Sequence, residues 1–175
     1  YMFPKAHAAA YVTSAFRIAY YKVHKPEIYY ATYFSTRFDD FDLETMVKGY
    51  DAIKAKMIEI KEKGYEATNK EASVLETLKL CLEATARGFK FGNIDIEKSD
   101  GKNFIVGDDN KTLICPFRTL DGLGDSVAAK IIEERNNKPF YSIEDFQLRG
   151  HVNGTTVDKL RSLGVFGNLP ETSQL

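Results

Sequence analysis

The chain has 175 residues, of which 43% are hydrophobic and 28% are charged, a balance typical of a soluble globular protein. No apolar run approaches the ~20 residues that a membrane-spanning helix needs, so an integral membrane protein is not expected. Two cysteines, Cys81 and Cys115, are too few for a disulfide framework or a zinc site, and we expect two buried thiols and a cytoplasmic setting.

The charge is nearly balanced overall but uneven along the chain. There are 24 basic and 25 acidic residues, and the net charge is −1, yet residues 1–38 carry five basic residues and one acidic residue. A free-standing DNA-binding protein is usually basic. A nucleic-acid contact made by the later residues would therefore use main-chain N–H groups and a few cations, and we expect its affinity to depend weakly on salt.

Helical periodicity dominates the first half of the chain. Pro4 suits a first helical turn and predicts a helix to about Val23, and Pro26 ends that helix and begins another that runs to about Phe38. One long amphipathic helix is predicted over residues 42–63.

The next segments predict a helix and then a β-hairpin. A helix that begins at Thr68 or Asn69 and ends at Gly88 could pair with the helix before it in an antiparallel fashion. Residues 89–91 and 94–96 alternate in polarity, and the apolar stretches at 103–106 and 112–115 flank a glycine-bearing loop at 107–111, which is typical of a β-hairpin. The fold class expected is mostly α within α+β.

A glycine hairpin between two predicted helical segments is the most specific pattern in the chain. Apolar Phe117 and Leu120 are followed by Gly122-Leu123-Gly124, and small and apolar residues continue the second helix. Glycine accepts positive φ and lets the main chain approach a ligand closely, and the N–H groups at the start of a helix attract anions. We therefore expect a phosphate on the N–H groups of Gly122 through Ser126, with Lys130 assisting. The alternative is a tight turn between two core helices.

A second unit of the same kind follows the first. Ser142 predicts a helix start, Asn153-Gly154 a turn, and residues 155–163 a helix that ends at Gly164. Because this unit lacks the Gly-x-Gly pair, we expect it to be degenerate and mainly structural.

Two further groups of polar residues raise the question of chemistry. Asp39, Asp40 and Asp42 could hold Mg²⁺, but aspartates just before a helix more often cap it, and Asp108-Asp109 suggests a turn. Lys5, His7 and Tyr11 lie at a helix start among alanines, where a cation and free N–H groups suit a polyphosphate. A histidine in such a helix can equally be packed or simply exposed.

These motifs together resemble one family. Residues 2–11, Met-Phe-Pro-Lys-Ala-His-Ala-Ala-Ala-Tyr, resemble the fingers motif of the bacterial DNA polymerase III alpha subunits of the PolC type, and the glycine hairpin resembles the helix-hairpin-helix motif of proteins that bind DNA without reading its sequence. The similarity continues in order through Lys22-Val-His24, Phe38-Asp-Asp-Phe-Asp42, Phe140-Tyr-Ser-Ile-Glu-Asp-Phe146 and Leu163-Gly-Val-Phe166.

The resemblance implies a function and a division of the chain. Residues 1–41 would end the fingers, 42–90 would be a helical pair, 91–116 a β-hairpin connector and 117–175 a tandem helix-hairpin-helix domain. Lys5, His7 and Tyr11 would lie near the incoming deoxynucleoside triphosphate, and Gly122, Leu123, Gly124, Asp125, Ser126 and Lys130 would lie along the primer-template duplex. A monovalent cation could bind the carbonyls of Leu120–Gly124.

The same resemblance implies what lies outside this chain. The catalytic carboxylates and their Mg²⁺ would belong to a palm domain, so the chain alone would hold no cofactor and would not polymerise DNA. Gln174-Leu175 would begin a sliding-clamp motif. Two alternatives from other classes are a non-enzymatic DNA-binding adaptor and a purely structural helical domain. An open reading frame that extends far upstream and encodes palm aspartates would favour the polymerase.

Overall fold

The computed structural model of the chain describes residues 4–172, so Tyr1–Phe3 and the predicted clamp motif at Gln174-Leu175 lie outside the described residues. The described residues form eight α-helices and a three-stranded sheet, which confirms a mostly helical α+β fold. No helix between residues 4 and 172 is both long and apolar enough to cross a membrane. The helices are α1 (Lys5–His24), α2 (Pro26–Arg37), α3 (Leu43–Lys48), α4 (Tyr50–Lys63), α5 (Asn69–Ala86), α6 (Asp125–Asn137), α7 (Ile143–Arg149) and α8 (Gly154–Ser162).

The prolines and caps place most helix ends as predicted. Pro26 is the first residue of α2 and follows the end of α1 by two residues. Thr68 caps α5 with Glu71 in a reciprocal capping box. The prediction of one helix over residues 42–63 is wrong, because Gly49 adopts φ +89° and separates α3 from α4. A left-handed residue breaks the helical hydrogen-bond ladder, and only glycine adopts it at little cost.

The sheet contains the predicted hairpin and one further strand. Strand β2 (Ile105–Val106) pairs antiparallel with β3 (Thr112–Ile114), and β1 (Lys90–Gly92) pairs parallel with β3 along its other edge. The alternation at Ile94–Ile96 forms no strand. A crossover returns the chain from β1 to the far side of β3, so the sheet order is β1-β3-β2.

One hydrophobic cluster runs from α2 to Leu169. Phe34 of α2 lies at its centre, with its ring 5.2 Å from that of Phe91 in β1 and 5.5 Å from that of Phe104 before β2. Cys81 and Cys115 are both fully buried free thiols, as predicted, and burial raises the pKa of both. The sheet thus joins the early helices to the later ones.

Helix α1 is attached to α5 near its C-terminal end. None of its residues is buried, but the Lys22 ammonium lies 2.7 Å from a Glu83 carboxylate oxygen, and the Arg87 guanidinium donates to the Lys22 carbonyl at 3.0 Å. Buried Tyr30 donates to Glu83 at 2.6 Å and accepts from Arg87 at 3.1 Å. Burial and the Glu83 carboxylate raise the pKa of Tyr30 to about 12, so its hydroxyl keeps the proton that it donates.

Arg118 connects the end of α2 to the segment before the glycine hairpin. Its Nη2 donates to the carbonyls of Phe34, Ser35 and Phe38 at 3.2, 3.0 and 2.8 Å. These carbonyls end a helix and have no intrahelical donor, and the guanidinium charge suits the negative end of the helix dipole. The guanidinium also lies over the Phe41 ring, 5.3 Å from its centroid.

Replacing Arg118 with methionine is expected to lower the free energy of unfolding by about 2 kcal/mol. The substitution keeps the buried aliphatic stem but leaves the carbonyls at the end of α2 without a donor, and unpaired buried acceptors cost about 1–3 kcal/mol. Urea denaturation followed by circular dichroism measures the change. Arg118→Lys keeps one charged donor and should lose less, and a methionine variant as stable as wild type would contradict this account.

Candidate nucleic-acid interface

The glycine hairpin is an exposed bend anchored by two buried leucines. Gly122 adopts φ +93°, which only glycine adopts readily. Leu120 and Leu123 are buried, and the Leu123 N–H donates to the Leu120 carbonyl at 3.2 Å. The helix predicted before the hairpin is a single 3₁₀ turn at Phe117–Thr119. Pro116 cannot donate to a preceding helical turn, and the Leu120 backbone is already extended.

Helix α6 begins directly after the hairpin and presents its first N–H groups to solvent. Gly124 is the N-cap, and no described side chain caps this helix start. Asp125 and Ser126 are exposed, and N–H groups in a first turn have no acceptor within the helix. An anion that binds here would therefore meet several unpaired donors and the positive end of the dipole.

The two glycines differ in what they require. A Cβ built on Gly124 meets nothing within 4 Å, and its φ of −74° is open to any residue. The sequence also suggests that a side chain at Gly124 would block the hairpin geometry, but this geometry shows that the bend itself would remain. Only the approach of a ligand depends on glycine there. Gly122 is needed for the bend itself.

Lys130 and the carbonyls of the hairpin have partners within the chain. The Lys130 ammonium lies 2.9 Å from Glu134 and 3.1 Å from Glu133, and these hydrogen bonds raise its pKa. The Asp121 carbonyl, in the segment for which a monovalent cation was predicted, accepts from the Lys159 ammonium at 2.9 Å. A positive charge from α8 is thus already present on the hairpin carbonyls.

The second hairpin repeats the backbone of the first. Asn153, the N-cap of α8, has φ −72° and ψ 155°, close to the −74° and 158° of Gly124. His151 has positive φ, as Gly122 does, and Val152 is buried, as Leu123 is. The lack of a Gly-x-Gly pair concealed this similarity, because histidine and asparagine tolerate the left-handed region better than most residues.

The predicted nucleotide site lies at the start of α1. The His7 and Tyr11 rings are 4.5 Å apart at an interplanar angle of 72°, which confirms that they share one face, and Tyr11 is 66% exposed. Lys5 lies two residues before His7 and so about 200° around the helix. Both side chains lean towards the helix start, because Cα–Cβ bonds in a helix tilt that way.

The aspartates have structural roles. The Asp42 carboxylate accepts from the Thr45 N–H at 3.1 Å and caps α3, as predicted. Asp109 accepts from the N–H groups of Lys111 and Thr112 in the β2–β3 loop, and these bonds lower its pKa to about 2. Among the described residues, no three carboxylate, histidine or cysteine side chains come together where they could hold a metal ion.

The chain matches known proteins over its whole length. A family model described as a helix-hairpin-helix motif matches residues 88–174. The chain is 49% identical over 175 residues to the DNA polymerase III PolC-type of Lacticaseibacillus paracasei, 50% identical to that of Halalkalibacterium halodurans and 49% identical to that of Listeria monocytogenes. The chain belongs to the PolC-type DNA polymerase III family. It spans 12% of the length of these relatives, although all of it is aligned.

Membership of the PolC-type family confirms the resemblance inferred from the fingers and hairpin motifs. The family model begins at Gly88 and so includes the sheet and both hairpins. Sequence reasoning missed three lysines that contact the first hairpin, Lys70, Lys102 and Lys159. No local signal could have found them, because they lie 23 to 51 residues from their partners in the hairpin, on a helix, a loop and another helix.

Proposed function

We propose that this chain is the part of a replicative DNA polymerase that holds the primer-template duplex without sequence specificity. The observation that carries the proposal is the exposed, uncapped start of α6 behind the glycine hairpin. Main-chain N–H groups bind phosphates and carry no information about bases. A duplex would place its sugar-phosphate backbone against Gly122–Ser126.

The start of α1 is the second part of the proposal. Lys5, His7 and the first N–H groups of α1 would contact the triphosphate of the incoming nucleotide, with the Tyr11 ring beside its sugar or base. The first turn of α1 has no acidic residue, and no described side chain caps it, so its positive end is available to phosphates. These residues would orient the triphosphate and balance its charge.

The rest of the polymerase would cover the exposed apolar residues of α1. Tyr11, Phe16, Ile18 and Tyr20 are 53–73% exposed, and runs of exposed aromatics on one helix mark surfaces that bind other protein. Mg²⁺ and the groups that drive phosphoryl transfer would lie on the palm, as the resemblance to the PolC type implies. A sliding clamp would bind a motif that begins at Gln174-Leu175.

Duplex binding by the purified chain tests the proposal. Fluorescence anisotropy should show binding to a labelled 20-base-pair duplex at low salt. Two duplexes of unrelated sequence should bind with affinities within about twofold of each other, because phosphate contacts dominate. An absence of binding would favour a purely structural domain. A strong preference for one sequence would contradict binding through the main chain.

A further inference from the structure

Three lysines that are distant in sequence come together around the first hairpin. The Lys70 ammonium, from the first turn of α5, lies 2.8 Å from the Asp121 carboxylate. The Lys102 ammonium, from the β1–β2 loop, lies 2.9 Å from the Asp125 carboxylate. Lys159 of α8 donates to the Asp121 carbonyl at 2.9 Å. We call Lys70, Lys102 and Lys159 the lysine rim, and Asp121 and Asp125 the hairpin carboxylates.

The fold does not depend on these contacts. Lys70, Lys102, Asp121 and Asp125 are 53–75% exposed, and exposed ion pairs add little to stability. Such pairs can exchange partners at small cost. The rim brings three positive charges to the hairpin, which itself carries two negative ones, in a chain whose net charge is −1. The Asp40 carboxylate also acts on Lys70.

The position of the rim sets it apart from the other lysines near the hairpin. Lys130 is engaged by two glutamates of its own helix, whereas every rim lysine contacts the hairpin itself. The Lys159 ammonium lies 3.6 Å from the point where a Cβ on Gly122 would be. A phosphate on the exposed N–H groups would therefore lie within reach of ammonium groups that come from α5, the loop and α8.

We propose that the lysine rim binds phosphates of the DNA duplex seated on the hairpin, and that the hairpin carboxylates hold Lys70 and Lys102 in place until those phosphates replace them. The inference rests on the proposed function, since it takes the hairpin as the duplex-binding surface. It reverses the expectation of weak salt dependence. It also assigns the hairpin carboxylates a competing role, because they occupy the ammonium groups and repel phosphate.

The salt dependence of duplex binding tests the rim. The triple variant Lys70→Met, Lys102→Met, Lys159→Met should weaken binding and reduce the slope of log affinity against log salt concentration by about 1 for each lysine removed. The double variant Lys70→Met, Lys102→Met should reduce it by about 2 and leaves the bond from Lys159 to the hairpin intact. Lys79→Met is the matched control, because Lys79 pairs with Glu76 on α5 nine residues from Lys70, on the opposite face of that helix.

The carboxylates provide a test with the opposite sign. Asp121→Asn should tighten duplex binding about threefold, since it removes a negative charge beside the phosphates. Asp108→Asn, the same change at an exposed loop position, should leave the affinity unchanged. The proposal for the lysine rim would be overturned by an unchanged salt slope in both lysine variants. It would also be overturned by an Asp121→Asn variant that binds duplex no better than wild type.

The outcomes separate the rim from the proposed function. If the wild-type chain binds no duplex, the proposed function fails and the rim fails with it. If the chain binds duplex and Gly124→Val weakens that binding while the lysine variants match Lys79→Met, the rim alone is overturned. If the lysine variants respond and Gly124→Val does not, the rim stands and the N–H groups of the hairpin are not the contact.

Discussion

Replacing Gly124 with valine is expected to weaken duplex binding roughly 30-fold. The valine side chain would occupy the open space in front of the α6 N–H groups and keep a phosphate from reaching them. Hydrogen bonds to charged groups contribute about 1.5–3 kcal/mol, and losing the approach to one or two donors accounts for an effect of this size. Fluorescence anisotropy with a labelled duplex measures it.

The folded structure should survive the Gly124→Val substitution. Its backbone angles suit any residue, so the expected loss of stability is about 1 kcal/mol, from a poorer N-cap. Thr112→Val serves as a control of similar cost, because it removes a hydroxyl that donates to Asp109 at 2.7 Å in the sheet and does not touch the hairpin. Equal duplex affinity in wild type and Gly124→Val would show that phosphates do not approach this helix start.

Replacing both Lys5 and His7 with alanine is expected to lower kcat/KM for nucleotide incorporation roughly 100-fold. The measurement uses the full-length polymerase that carries these residues. Removing a single preorganised donor that stabilises charge in the transition state raises the activation free energy by about 2.7–4 kcal/mol. A 100-fold loss for the pair corresponds to the lower end of that range. A rise in KM alone would indicate that Lys5 and His7 bind the nucleotide equally well in the ground state and the transition state. A fall in kcat would indicate a contact that is made only in the transition state.

Helix α1 supplies its own control for this prediction. Near the other end, the His24 and Tyr20 rings are in contact with centroids 4.4 Å apart, a separation close to the 4.5 Å of His7 and Tyr11, and Lys25 follows His24 directly. The double variant His24→Ala, Lys25→Ala makes the same chemical change far from the helix start. Its incorporation rate should match wild type. A wild-type incorporation rate in the Lys5→Ala, His7→Ala variant would show that the nucleotide does not bind at this site.

Local chemistry in the sequence was enough to predict most of the elements. Proline at helix starts, the capping threonine of α5 and the Gly-x-Gly pair each fix a backbone conformation through atoms within a few residues. The break at Gly49 was missed because apolar periodicity continues across it. Strand β1 was missed as a partner of β3 because parallel pairing joins residues more than 20 positions apart, which no local pattern encodes.

In the candidate site too, features set by residues close in sequence were predicted, and features set by distant residues were not. The bend at Gly122 and the His7–Tyr11 pair follow from short spacings, and both were predicted. Lys130 was chosen because it is close in sequence, yet its ammonium is engaged by Glu133 and Glu134. The lysines that contact the hairpin come from α5, a loop and α8, so their convergence depends on how the helices pack and could not be deduced from spacing.

The attachment of α1 has a mechanical consequence. This helix is about 30 Å long. Among the described residues, Lys22, Glu83 and Arg87 attach its C-terminal end to α5, so this attachment can act as a pivot. A swing of about 10° at the pivot carries the Lys5 end through roughly 5 Å over that length, about the width of a phosphate group. If the proposed nucleotide site at the start of α1 is correct, a small rearrangement at Glu83 would therefore change the distance between Lys5 and a bound phosphate.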